Sequence, residues 1–309
     1  MKLKPLLFLV IVLFTGAITA QEPLLMNAYH RTTHSLNGHW KYIVDPYENG
    51  FYNYRLDAFE DQETPGKAAF FTNSKPSDRS DLVEYDFDLS DSIMVPGDWN
   101  TQKEKLFYYE GTVWYKKSFD YNKADATNRV FVYFEASNYQ TDVYLNGSKL
   151  GRHIGGFTPF NYEVTHLLKE QNNFLIVKVD NKRIKEGVPT LNTDWWNYGG
   201  LTRDVKLIET GATYIVDYFI QLAPNNPNKI TGYITLSGEN NAQKEVQISI
   251  PELALTKRVL TDKNGKAVVD LSSDGITYWS TDNPFLYEVI LETEKDTITD
   301  HIGFRTIKT

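Results

Sequence analysis

The sequence predicts an all-β protein built from two β-sandwiches, and three observations carry that prediction. No stretch from residue 21 to residue 309 sustains a helical apolar period. The apolar positions alternate instead: Val130, Val132 and Phe134 fall on one face of a strand, with Phe131, Tyr133 and Glu135 on the other. Turn signals recur between short apolar runs. One is Asn146-Gly147, two residues that tolerate positive φ at both central positions of a tight hairpin. Many short strands separated in this way point to a sandwich or jelly roll.

The first twenty residues stand apart from the fold. Lys2 and Lys4 precede an apolar run from Pro5 to Thr19, and the small residue Ala20 follows. That is the layout of a secretory signal peptide, with cleavage after Ala20 expected to leave Gln21 at the mature end. The run is short for a bilayer span and no charged stop follows it, so the mature chain is expected in the periplasm or outside the cell. In the first unit, residues 21–210, the strands expected after Val130–Phe134 are Asp142–Leu145, Ser148–Leu150, Phe174–Val179 and Arg203–Glu209. Residues 60–81 are polar and rich in Pro, Gly and Ser, and read as an exposed loop. A boundary is expected near Thr210-Gly211. Beyond it come Tyr214–Leu222, Ile230–Leu236, Glu245–Ile250, Ala267–Leu271 and Leu286–Glu292, with Asn225–Asn228, Asp262–Gly265 and Ser272–Gly275 as separators. Residues 211–309 in this pattern fit an immunoglobulin-like sandwich without its disulfide.

Composition narrows the partners. The chain has 309 residues and a formal charge of -8, and loss of Lys2 and Lys4 takes it to -10. An acidic surface repels phosphates, which argues against nucleic acid and anionic membrane as partners. There is no cysteine, so no disulfide supports the fold, but a chain of this length buries enough apolar surface without one. Aromatic residues reach 14%. Such an excess suits both sheet cores and the faces of sugars.

Chemistry enters through five segments. They are Ser35–Trp40 with Asp45-Pro46; Val95-Pro96-Gly97-Asp98-Trp99-Asn100 with Gly111–Tyr115; and Val143–Gly147 through Gly155–Phe160. They continue with Asp194-Trp195-Trp196-Asn197-Tyr198-Gly199-Gly200-Leu201-Thr202-Arg203, then Trp279-Ser280, Asn283–Tyr287 and Gly303-Phe304-Arg305. In this order, over residues 33–309, they resemble the front half of family 2 glycoside hydrolases, the β-galactosidase, β-glucuronidase and β-mannosidase group. The resemblance implies a galactose-binding-like jelly-roll sandwich followed by an immunoglobulin-like β-sandwich. It further implies that catalysis belongs to a following TIM barrel, where two glutamates act as acid/base and nucleophile of a retaining mechanism. The family places its acid/base in an Asn-Glu pair. This sequence has no Asn-Glu pair and runs to Thr309, where that barrel would begin. The expectation is therefore a non-catalytic portion, inactive alone, that supports and lines the active site of a complete enzyme hydrolysing O-glycosyl bonds. A stand-alone secreted carbohydrate-binding module is the alternative. A β-linked glycan or glycoside is the expected ligand, and a separately encoded catalytic barrel is the protein partner the resemblance leaves open.

No residue reads as catalytic, cofactor-binding or metal-ligating. The substrate-binding candidates are Asp194, Trp195, Asn197 and Tyr198. By resemblance, Asp194 stands where the galactosidase and glucuronidase branches place an aspartate that contacts sugar hydroxyls at the barrel mouth. The competing reading is a turn aspartate capping local N–H groups. Trp195, Trp196 and Tyr198 could present a stacking face, but at least two of the three are expected in the jelly-roll core. Glu135 and Asp142 read as structural carboxylates. His30, His34 and His39 read as surface residues, since their spacing fits no zinc pattern.

Overall fold

The computed structural model describes residues 24–81 and 85–306. Met1–Ala20, expected from the sequence to be a signal peptide, lies outside the described residues. Among the described residues the chain is all-β, with helix confined to one α-turn and short 3-10 turns. Ten strands form the first sandwich: β1 (Thr33–Ser35), β2 (Gly38–Val44), β3 (Ser92–Val95), β4 (Thr112–Phe119), β5 (Arg129–Phe134), β6 (Gln140–Leu145), β7 (Ser148–Ile154), β8 (Phe160–Glu163), β9 (Asn173–Asp180) and β10 (Val205–Thr210). Seven form the second: β11 (Thr213–Ala223), β12 (Asn226–Gly238), β13 (Glu245–Ile250), β14 (Leu255–Leu260), β15 (Lys266–Ser272), β16 (Tyr287–Glu292) and β17 (Thr297–Ile302).

The jelly roll packs a six-stranded sheet, ordered β3-β2-β4-β9-β6-β7, on a four-stranded sheet, ordered β1-β10-β5-β8, and every pairing is antiparallel. Strand alternation decides what each face buries. Val113 and Tyr115 of β4, Val143 and Leu145 of β6, and Val177 and Val179 of β9 meet Val130, Val132 and Phe134 of β5 in the core between the sheets. The intervening residues Trp114, Tyr144 and Ile176 face the opposite way and would lie in water without a cover. The cover is the excursion between β2 and β3. Phe51, Phe59, Ala69, Phe70, Phe71 and Phe87 are buried against that outer face. This corrects the reading of 60–81 as an exposed loop. The polar residues of that stretch flank a buried Ala69-Phe70-Phe71, and each ring so buried stabilises by about 1.5–3 kcal/mol. The excursion is also tied down by charge. Lys178 Nζ lies 2.8 Å from Glu48 Oε1 and over the ring of Phe51, and Tyr144 donates to Glu60 at 2.7 Å. Glu135 pairs with Lys206 at 2.6 Å, and Asp142, fully buried, accepts from Arg152 at 2.6 Å, so both carboxylates are structural.

Several motif residues have structural duties of the same kind. Asp45 is buried and accepts from the Asn49 and Gly50 amides and from Trp114 Nε1, each at 2.9 Å. Asn146 and Gly147 both take positive φ, 52° and 86°, in the β6–β7 turn. His30, His34 and His39 are exposed.

The second sandwich faces the three-stranded sheet β11-β12-β15 against the four-stranded sheet β14-β13-β16-β17. Alternating residues such as Val246, Ile248 and Ile250, or Ala267, Val269 and Leu271, supply a core with no disulfide. Strand β12 begins at Asn226, inside the segment read as a separator, because Pro224-Asn225 alone makes the turn. The two sandwiches meet across Gly211-Ala212. Phe131, Tyr133 and Ile208, on the outer face of the four-stranded sheet, pack with Tyr214 and Val216 of β11. Leu25 and Ala28, from the segment before β1, complete this cluster. In the same segment, Arg31 Nη1 donates to both carboxylate oxygens of Asp296, at 2.8 and 3.0 Å, and Nη2 donates to the carbonyl of Ile215. Asp296 also accepts from the Ile215 amide at 2.7 Å.

Candidate functional site

One end of the jelly roll gathers residues 194–201, the segment 96–111 and the Asn138 corner. Four asparagines hold them together. Asn100 Nδ2 reaches the carbonyls of Leu106, Phe107 and Tyr109 at 3.0–3.2 Å, while its Oδ1 accepts from the Gly199 amide at 3.0 Å. Asn181 Oδ1 accepts from the Gly111 amide at 2.9 Å, and its Nδ2 donates to Asn197 O at 2.9 Å. Asn197 Nδ2 returns a bond to Asn181 O at 2.5 Å. Asn138 Nδ2 donates to Asn197 Oδ1 at 3.0 Å and to Tyr198 O. All four side chains are buried, where an unmade hydrogen bond is costly, so the network fixes the loop's path.

The glycine pair is part of the same fit. A Cβ on Gly199 would lie 2.0 Å from the fully buried Trp99 ring. Gly200 has φ +140°, and a Cβ there would lie 2.7 Å from Gly97 O. Asp98 caps the turn that places Trp99, accepting from the Thr101 amide at 2.7 Å.

Above this lock the side chains of residues 194–198 separate by role. Asp194 is exposed, and its carboxylate has no hydrogen bond or ion pair among the described residues. It therefore does not cap its own turn. Arg183 grips the chain on both sides of it, at Thr193 Oγ1 (3.0 Å) and at Trp195 O (3.5 Å), and is itself braced by Glu110 at 2.9 Å. Trp195, Trp196 and Tyr198 are 57%, 38% and 46% exposed. This corrects the expectation that at least two of the three enter the core; the buried indole at this end is Trp99. Asn197 is also corrected as a substrate-facing candidate, because it is buried with its amide committed to Asn138 and Asn181. It positions its neighbours instead.

Two residues that sequence reasoning passed over join the group. Phe107 and Tyr108, 43% and 82% exposed, stand 5.0 and 5.5 Å from the Trp196 ring, which is 6.4 Å from Tyr198. The signal that could have found them is the aromatic run Phe107-Tyr108-Tyr109 between two recognised motif segments. The site is an open surface. A cleft of about 610 Å³ beside Thr213, Lys244 and Lys295, and one of about 460 Å³ beside Phe219 and Arg305, lie away from it. Among the described residues no cluster of three or more His, Asp or Glu side chains forms a metal site.

Comparison with known proteins gives this end of the molecule its context. Residues 33–211 match the sugar binding domain of glycosyl hydrolases family 2, and residues 213–305 match a second domain of glycosyl hydrolases family 2. A β-glucuronidase of Formosa agariphila is 28% identical over 94% of this chain and 30% of its own length. A β-galactosidase of Thermoanaerobacter pseudethanolicus is 29% identical over 75% of this chain and 34% of its own length. The chain thus spans about a third of each of these curated relatives. Among solved structures, a Bifidobacterium dentium β-glucuronidase superposes with a TM-score of 0.70 at 21% identity, over 94% of this chain and 50% of that one. A β-glucuronidase from an uncultured Clostridium gives 0.67 at 24% identity over 90% and 45%. With both sandwiches matched in order and the first match alone covering more than half of the residues, the chain belongs to glycosyl hydrolase family 2.

Proposed function

We propose that this chain is the accessory portion of a retaining β-glycoside hydrolase, exported from the cytoplasm, that lends the Asp194 loop to an active site completed by a catalytic barrel. The observation that carries the proposal is the contrast at Asp194. Its neighbours are locked by Arg183, Asn181 and Asn138, yet its carboxylate is left free and exposed. A carboxylate held in that way accepts hydrogen bonds from sugar hydroxyls without first giving up a protein partner. Each such bond contributes roughly 1.5–3 kcal/mol once water is excluded. The names of the relatives point to β-glucuronides and β-galactosides as the substrate class. None of the roles read from this chain includes an acid/base or a nucleophile.

The test has two arms. The purified chain releases no nitrophenol from β-galactoside, β-glucuronide or β-mannoside substrates, and release that is lost on substituting this chain's own carboxylates overturns the accessory role. In an assembly with a family 2 catalytic barrel, Asp194→Ala lowers kcat/KM by about 10- to 100-fold, following from one lost charge-assisted bond. Unchanged kinetics there removes Asp194 from the site. The stand-alone binding module remains the second reading, favoured by the exposure of Trp195, Trp196 and Tyr198 on this chain itself. It requires glycan binding that an added barrel does not strengthen.

A further inference from the structure

We infer that Phe107, Tyr108 and Trp196 form a subsite for a second ring β-linked to the sugar, next to the position where Asp194 holds that sugar. The inference rests on the proposed role of Asp194 and extends it to Trp196 of the same motif and to Phe107 and Tyr108, which lie between two motif segments. The three rings form one continuous aromatic surface, with centroids 4.9 Å apart between Phe107 and Tyr108, and 5.0 and 5.5 Å from these to Trp196. The rings are tilted to one another, by 87°, 50° and 46°, and remain 43%, 82% and 38% exposed.

Their placement is fixed from below. The Phe107 carbonyl is held by Asn100, and Trp196 lies between Trp195, whose carbonyl Arg183 holds, and the buried Asn197. The backbone that carries these rings is ordered before any ligand arrives, which lowers the cost of binding. The spacing suits a ligand of two rings. Trp196 is two residues from Asp194, so their Cα atoms lie no more than about 7 Å apart. A sugar bonded to the Asp194 carboxylate then has its neighbouring ring within reach of the aromatic wall.

The chemistry that fits is a flat ring with an apolar face, β-linked to the bound sugar. The electron-rich face of Trp or Tyr attracts polarised C–H bonds, and the rings shed hydrating water on contact. A pyranose and an aromatic aglycone share that property.

The test uses the full chain assembled with a family 2 catalytic barrel whose nucleophile has been substituted, with methyl β-galactoside, phenyl β-galactoside and lactose, and with methyl and phenyl β-glucuronide, measured by ligand-observed NMR titration. The expected result is tighter binding of the phenyl glycosides than of the methyl glycosides, by about two- to tenfold. Lactose against methyl β-galactoside reads whether a second sugar gains equally. Tyr108→Ala, together with a separate Phe107→Ala, brings phenyl and methyl affinities together without lowering the melting temperature of the Tyr108 variant. Equal affinities in the unsubstituted chain, no binding of either class, or a phenyl preference that survives both substitutions overturns the inference. Asp194→Ala separates it from the underlying proposal. That change weakens methyl and phenyl glycosides by the same factor. An unaltered affinity for both, with the phenyl preference intact, removes the role of Asp194 and leaves the aromatic subsite standing.

Discussion

Two neighbouring substitutions distinguish a side chain that holds the loop from one that the loop presents. Asn197→Ala removes the bond to Asn181 O and takes one acceptor from Asn138 Nδ2, all in buried surroundings. A buried polar group left without its partner costs about 1–3 kcal/mol, so the pair amounts to about 2–6 kcal/mol. For a domain of this size, each kcal/mol moves the melting temperature by about 2–4 °C, which predicts a fall of roughly 4–24 °C. Asp194→Ala removes an exposed carboxylate with no partner, and such changes stay within about 0.5 kcal/mol, or at most about 2 °C. Tryptophan fluorescence is the suitable probe. Five of the six tryptophans, Trp40, Trp99, Trp114, Trp195 and Trp196, belong to the jelly roll, so the signal follows the domain that is altered. Asn197→Ala melting with the unsubstituted chain would refute the lock. Asp194→Ala melting several degrees lower would make Asp194 structural and withdraw its proposed contact with substrate.

Three further outcomes follow from the geometry. Asp296→Ala strands the buried Arg31 guanidinium and is expected to cost about 3–5 kcal/mol, whereas Arg31→Met combined with Asp296→Ala costs less than that single change; calorimetry of the double-mutant cycle checks it, and simple additivity refutes it. Gly199→Ala drives a methyl group into Trp99, and lowers stability by about 1–3 kcal/mol or more in urea titrations. Burial pushes the Glu48 carboxyl up, but Lys178 and Lys182 outweigh it and hold it below its ordinary 4.5. Its stabilising pairing is therefore complete above pH 4.5 and lost as pH falls below it. Glu48→Gln flattens the acid limb of a melting-temperature profile, and an unchanged limb counts against the pairing.

The fold was legible where the physics is local. Alternation identified β5, β9 and β13 within a residue or so, and Asn146-Gly147 announced its turn, because strand faces and positive φ leave their mark in adjacent residues. The buried Phe70-Phe71 was not legible. Its neighbours are polar, and the reason for its burial is the outer face of a sheet made by Trp114, Tyr144 and Ile176. The candidate site divides in the same manner. Asp194 and the aromatic residues after it could be named from their motif. Which of them face solvent is decided by Asn100, Asn138 and Asn181, whose partners lie from 6 to 99 residues away. The bond from Asn138 to Asn197 spans 59 positions and has no local signature.

The segment that carries Leu25, Ala28 and Arg31 bears on how the molecule is made. Arg31 emerges early in synthesis, yet the carboxylate it grips lies 265 positions later. Contacts so distant in sequence form late, because the intervening chain must first be ordered. During vectorial synthesis the first sandwich can therefore finish while the cationic strap at its base still waits, and closure at Asp296 reports that the second has been delivered. The same arrangement makes the segment before β1 a point of weakness. An aminopeptidase that trims past Arg31 would spare both cores but take Leu25, Ala28 and the Arg31–Asp296 pair from the joint, leaving Phe131, Tyr133 and Ile208 against Tyr214 and Val216 to hold it.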